Sequence, residues 1–104
     1  ALVAGLLSGV LLARHVHAAQ ATKAAISIDN FTFAPATVTV PVGTAVTWTN
    51  RDDIPHSIVA SGKAFRSQAL DTDDKYSFTF ANAGTFDYFC GLHPYMTGKV
   101  IVTP

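Results

Sequence analysis

From Ala25 onward, apolar and polar residues alternate with a period of two, and the apolar positions are rich in β-branched and aromatic side chains. Successive side chains of a strand point to opposite faces, so this pattern predicts strands with one buried side. The stretch "ISIDNFTF" places Ile26, Ile28, Phe31 and Phe33 on packed faces, with an irregularity at Asp29 and Asn30. "ATVTVPVGTAVTWTN" reads as two strands, carrying Val38 and Val40 before a break at Pro41 and Gly43, and Val46 and Trp48 after it. Proline lacks a backbone donor, so Pro41 belongs at an edge or a bend. "HSIVA" predicts a short strand, "YSFTFAN" alternates Tyr76, Phe78 and Phe80, "GTFDYFC" alternates Phe86, Tyr88 and Cys90, and "GKVIVTP" closes the sequence. Turn residues cluster at 50–55, 61–63, 71–74 and 82–84, and no amphipathic helix of ordinary length follows residue 22. Short strands at this spacing predict an all-β chain, a β-sandwich of seven to eight strands with Greek-key connections.

The amino-terminal segment departs from this pattern. "ALVAGLLSGVLLA" is uncharged and, at 13 residues, falls short of the ~20 that a membrane-crossing helix needs. Its length, followed by Ala19 and Ala21 in a small-x-small arrangement, predicts a secretory signal peptide over 1–21, with a retained anchor as the alternative. The chain from 22 to 104 is then one exported domain, periplasmic or otherwise outside the cytoplasm, with no stable insertion in the membrane. With 104 residues, 7 basic and 7 acidic side chains that cancel, and no clustering of the basic ones, composition fits one compact core and excludes a nucleic-acid partner. The single Cys rules out an internal disulfide.

That one Cys stands in "YFCGLHPYMTGKVIV", beside the only Met. Cys90, His93 and Met96 form C-x2-H-x2-M at the point where a strand leaves the sheet. In a tight loop of roughly three residues per turn, donors spaced by three return to one side. His56 opens another strand, and a Greek key can bring that end beside the loop. Taken singly, each of these residues is ordinary packing; together, in a domain with almost no other such donors, they predict a metal site. Two imidazoles, one thiolate and a weak thioether match a blue-copper electron-transfer centre. Structural zinc would require four firm ligands, and catalytic zinc an open position that the thioether here fills. Copper delivery or storage uses the same donors but favours open, Met-rich or His-rich sites. A fragment of a multicopper enzyme would need further His clusters, and a metal-free immunoglobulin-like module would leave the spacing unexplained. Pro55 and Pro94 stiffen the backbone beside His56 and His93. Ser57 can supply a donor to the Cys90 sulfur, and Asp52 can orient a ring N–H of His56.

Over about residues 25–104 the chain resembles the cupredoxins, the blue-copper family, and within it the amicyanins, through "WTNRDDIPHSIV" and the short C-x2-H-P-x-M loop. The resemblance implies a cupredoxin-like Greek-key sandwich of eight strands holding one Cu(I)/Cu(II) ion. His56, Cys90 and His93 are then the equatorial ligands and Met96 the axial one. It implies a non-enzymatic carrier, monomeric, that passes single electrons between redox proteins, a dehydrogenase or oxidase and a c-type cytochrome. These would dock near His93 on an apolar surface of Ile54, Pro55, Leu92, Pro94 and Tyr95. Two positions depart from the family. Ser57 stands where Asn is common, which is expected to weaken the tie between the ligand loops, and Asp52 stands where amicyanins carry Glu, which is expected to leave it one methylene short of His56.

Overall fold

The structure is a computed structural model and describes residues 22–104. The expected signal peptide over 1–21 lies outside the described residues. Eight strands form among the described residues: β1 (Lys23–Asp29), β2 (Thr32–Ala34), β3 (Thr37–Pro41), β4 (Ala45–Asn50), β5 (Val59–Ala60), β6 (Lys75–Thr79), β7 (Gly84–Phe89) and β8 (Thr97–Thr103). They make two four-stranded sheets, in the orders β2-β1-β4-β6 and β3-β8-β7-β5, so the predicted all-β Greek-key sandwich is the observed fold. Each sheet contains one parallel pair, β1 with β4 and β3 with β8.

Register turns the period-two pattern into a core. Ile26 lies beside Trp48, and Val46 beside Phe78, in the first sheet. Val38 and Phe86 both lie beside Val100 in the second. Ile26, Ile28, Phe33, Val46, Trp48, Phe80, Tyr88 and Val100 are all at most 1% exposed, which puts the apolar faces of both sheets against each other. Burial of this much apolar surface is the main force holding the sandwich. Pro41 ends β3 at the edge of its sheet, as a residue without an N–H must.

Two features could not be read from alternation. Residues 61–74 supply Phe65 and Leu70 to the core through isolated bridges, Val59 to Arg66 and His56 to Leu70, rather than through a strand. The expected "HSIVA" strand shrinks accordingly to Val59–Ala60. Gly98 faces Tyr88 across β7 and β8. A Cβ at 98 would overlap the phenol carbon and oxygen of Tyr88 and stand 2.8 Å from Cε1, so glycine there makes room for the largest ring of that sheet.

Candidate metal centre

β4 runs into the turn at 51–55, and its last residue organises that turn. Asn50 is fully buried; its side-chain amide donates to the carbonyls of Ile54 and Leu70 at 2.9 Å each, and its Oδ1 accepts the Asp52 N–H at 2.9 Å. A buried amide with these partners satisfied fixes the course of the chain more firmly than a solvated turn does. His56 follows, fully buried and paired through its own backbone N–H and C=O with Leu70, at 3.1 and 2.7 Å. The candidate donor therefore stands on a rigid part of the fold.

Cys90 follows the last residue of β7 and is also fully buried. From there the chain closes on itself: the His93 N–H donates to the Cys90 carbonyl at 3.2 Å, the Met96 N–H to the His93 carbonyl at 2.9 Å, and the Cys90 N–H to the Met96 carbonyl at 3.0 Å. These three-residue closures are the local reason the Cys90 and His93 side chains come to one side. Met96 is 3% exposed, in the same core cluster as Cys90, whereas His93 reaches partway to the surface.

The two segments meet at the thiol. Cys90 Sγ lies 3.7 Å from His56 Nδ1 and 3.6 Å from His93 Nδ1, and the three donor atoms lie within 4.8 Å of one another. With bonds of about 2.0 Å to nitrogen and 2.3 Å to sulfur, such sulfur–nitrogen separations subtend about 115° at a shared ion, between tetrahedral and trigonal. The spacing fits a single ion, and the donor chemistry fits copper.

The surroundings prepare the donors. His56 Nε2 is 2.7 Å from Asp52 Oδ2. A carboxylate only accepts, so the ring proton sits on Nε2 and the Nδ1 lone pair faces Cys90. Burial pushes the Asp52 carboxyl upward, but the Phe31 N–H, the His56 ring and the Asn30 N–H together outweigh it and hold the group below its ordinary value. The expectation that Asp52 would fall short of His56 is therefore corrected: the Asn50 bond draws the turn inward far enough for the shorter side chain to reach. Ser57 is corrected in the same direction. Its N–H points at Cys90 Sγ at 3.4 Å, and its Oγ accepts the Gly91 N–H at 3.0 Å, so it does join the two loops. Gly91 permits this, since a Cβ there would stand 2.8 Å from Ser57 Oγ. Around His93, Ile54, Leu92 and Tyr95 are 38, 51 and 73% exposed, and Pro55 and Pro94 are exposed too, so all five expected residues lie at the surface.

Phe31 is the neighbour that sequence reasoning misplaced. Read as a packed strand residue, it lies in the β1–β2 turn with its ring 5.1 Å from both imidazoles, edge-on at 89° to His56 and 86° to His93. Asn30 before it was the available signal, being a residue that favours turns with positive φ.

Comparison with known proteins agrees with this geometry. The cupredoxin-like domain family model matches residues 2–102. The chain is 37% identical to the amicyanin of Paracoccus versutus over 82 residues, 74% of this chain, and it spans only 62% of that relative's length. It is 39% identical to the chloroplastic plastocyanin of Tetradesmus obliquus, covering 92% of this chain and 74% of that one. A solved structure of an amicyanin variant in its Cu(I) form superposes with a TM-score of 0.73 at 34% identity, covering 80% of this chain and 84% of that chain. With its eight-stranded sandwich, its converging thiol and imidazoles, and relatives of this kind, the chain belongs to the cupredoxin-like domain family.

Proposed function

We propose that the chain holds one copper ion through His56 Nδ1, Cys90 Sγ, His93 Nδ1 and the Met96 thioether, and that it carries single electrons between other redox proteins without acting as an enzyme. The observation that carries this reading is the approach of Cys90 Sγ to two imidazole nitrogens at 3.6 and 3.7 Å, with the proton of one ring already committed to Asp52. When bound, copper supplies a reversible one-electron change between Cu(I) and Cu(II). The protein's own residues do the rest. Asp52 and the Leu70 backbone keep His56 from rotating, the Ser57 N–H withdraws charge from the thiolate, and burial of His56, Cys90 and Met96 excludes water and any reactant. A site whose donors keep one arrangement in both oxidation states exchanges electrons with little rearrangement.

The route in and out is the His93 ring, the least buried of the four side chains, amid Ile54, Pro55, Leu92, Pro94 and Tyr95. A small apolar surface of this kind suits brief encounters with a dehydrogenase or oxidase on one side and a c-type cytochrome on the other. Delivery or storage of copper is less well supported, because His56 and Cys90 are closed to a second protein that would have to reach the ion. Export through the 1–21 segment to the periplasm, and a monomeric state, complete the proposal.

The test is titration of the purified apo-protein and of a Cys90→Ser variant with Cu(II), followed by visible and EPR spectra. One equivalent should produce an intense charge-transfer band in the wild type that the variant lacks. A wild type that binds no copper, or a variant with the same band, would refute the reading.

A further inference from the structure

We infer that Phe31 is a positioning residue of the metal centre, a third structural contribution that fixes both imidazoles and that lies outside the ligand motif. The inference rests on the copper reading above for its functional meaning, but the geometry it is argued from is that of the protein's own residues.

The first observation is backbone conformation. Asn30 and Phe31 join β1 to β2 as a two-residue hairpin, with Asp29 opposite Thr32, and both have positive φ, 52° and 56°. A hairpin of this class favours Asn at its first position and Gly at its second. Phenylalanine at the second is unfavourable, because its Cβ crowds the backbone there. Residues held in such conformations persist where the surroundings compel them, and they cluster at functional sites.

The second observation is what compels it. Asp52 Oδ1 accepts the Asn30 N–H at 2.6 Å and Asp52 Oδ2 accepts the Phe31 N–H at 2.9 Å, while the same Oδ2 accepts from His56 Nε2 at 2.7 Å. One carboxylate thus fastens the hairpin and the imidazole to each other. The side chain of Asp52 is 12% exposed, and its bonds to Phe31 and His56 are partly shielded from water while that to Asn30 is exposed.

The third observation is where the ring goes. Phe31 meets both imidazoles edge-on at 5.1 Å, and the two imidazoles are themselves 5.0 Å apart, so the three rings close a triangle. Edge-on contacts at this range are attractive and directional. His56 has other restraints, in Asp52 and Leu70. For His93 the structure provides the loop backbone, Cys90 Sγ, the His56 ring at 5.0 Å, Phe31 and a longer contact to Tyr95 at 6.2 Å. Since Tyr95 is mostly exposed, the His56 and Phe31 rings are the walls that limit how far the outer imidazole can turn, and Phe31 is the one of the two outside the ligand set. A glycine at 31 would relieve the backbone and lose that wall.

The experiment uses isotope-labelled apo-protein in solution. In the wild type, nuclear Overhauser contacts should connect the Phe31 ring protons to the ring protons of both His56 and His93, and the His93 ring should give one sharp set of signals. Phe31→Asn keeps a residue that tolerates positive φ and removes the ring. It should leave the amide spectrum dispersed while the His93 ring signals broaden or double. After copper loading, it should also shift the reduction potential and the Cu(II) hyperfine splitting. Phe31→Tyr should restore both sets of readouts. Absence of the wild-type contact to either imidazole overturns the inference whether or not the Asn variant folds, as does a folded Asn variant with His93 signals and a potential unchanged from wild type, or a Tyr variant that behaves like Asn. Failure of the wild type to bind copper would instead sink the functional reading, leaving the apo-protein result to stand by itself.

Discussion

The phenol of Tyr88 offers a prediction whose size follows from its burial. Tyr88 is 1% exposed, packed edge-on against Phe33 at 4.8 Å and Trp48 at 5.4 Å, and its hydroxyl has no hydrogen-bond partner. Removal from water pushes its pKa up from 10.0 to about 12; the Trp48 indole pulls weakly the other way without making a hydrogen bond of ordinary geometry. The folded state thus prefers the neutral phenol, while the unfolded chain ionises it normally. A raised pKa contributes stability that is intact below pH 10 and is lost as pH rises toward 12. The full difference of two units is worth about 2.7 kcal/mol, and at pH 11.5 about 2 kcal/mol of it is gone. In Tyr88→Phe this loss is absent. The variant should also be no less stable than wild type at neutral pH, because the hydroxyl it deletes is buried and unpaired. Urea unfolding of both proteins at pH 7, 10 and 11.5 isolates the effect, since lysines and the other tyrosines cancel in the difference. The Phe variant should gain on wild type by about 2 kcal/mol between the first and last of these. A gap that stays constant with pH would refute the reasoning, and so would a loss above about 1 kcal/mol at pH 7, which would mean that the hydroxyl has a partner.

Two further outcomes follow from the site and the sheet. Asp52→Asn keeps the shape of the side chain but offers the imidazole a neutral partner, so the proton can move to Nδ1; copper affinity measured by chelator competition should fall about 10- to 100-fold. Because the Asp52 carboxyl is held below its ordinary value, the wild type should lose stability as pH falls through that lowered pKa, and the Asn variant should show less of this acid loss in urea titrations. Gly98→Ala drives a methyl into the Tyr88 phenol and should cost roughly 3 kcal/mol, read as a lowered midpoint in thermal unfolding; an unchanged midpoint would mean that the ring moves aside freely.

Much of the fold was legible because burial imposes alternation directly. Ile26, Ile28, Val46, Trp48, Tyr88 and Cys90 lie where the period-two pattern places them, and Pro41 breaks the chain where it should. The approach of His93 to Cys90 was legible because spacing by three matches the closure of a tight loop. What was hidden depends on contacts between turns. The expected shortfall of Asp52 ignored Asn50, which reads as a turn former but is buried and pulls the 51–55 segment inward. The expected weakness of Ser57 ignored Gly91, whose missing Cβ lets the loops approach. Phe31 was hidden because nothing in an alternating pattern announces a positive φ. Phe65 and Leu70 were hidden because isolated bridges carry no periodicity.

The parallel pairing of β3 with β8 has a bearing on how the molecule is made. The final strand lies beside one from the first half of the chain, with Val38 next to Val100. Such distant partners meet late, since most of the intervening polypeptide must be ordered first. The loop from Cys90 to Met96 hangs between β7 and β8, so its shape depends on that long-range pairing. Until β3 and β8 have paired, the loop that carries Cys90, His93 and Met96 therefore has only one of its two ends anchored in a finished sheet.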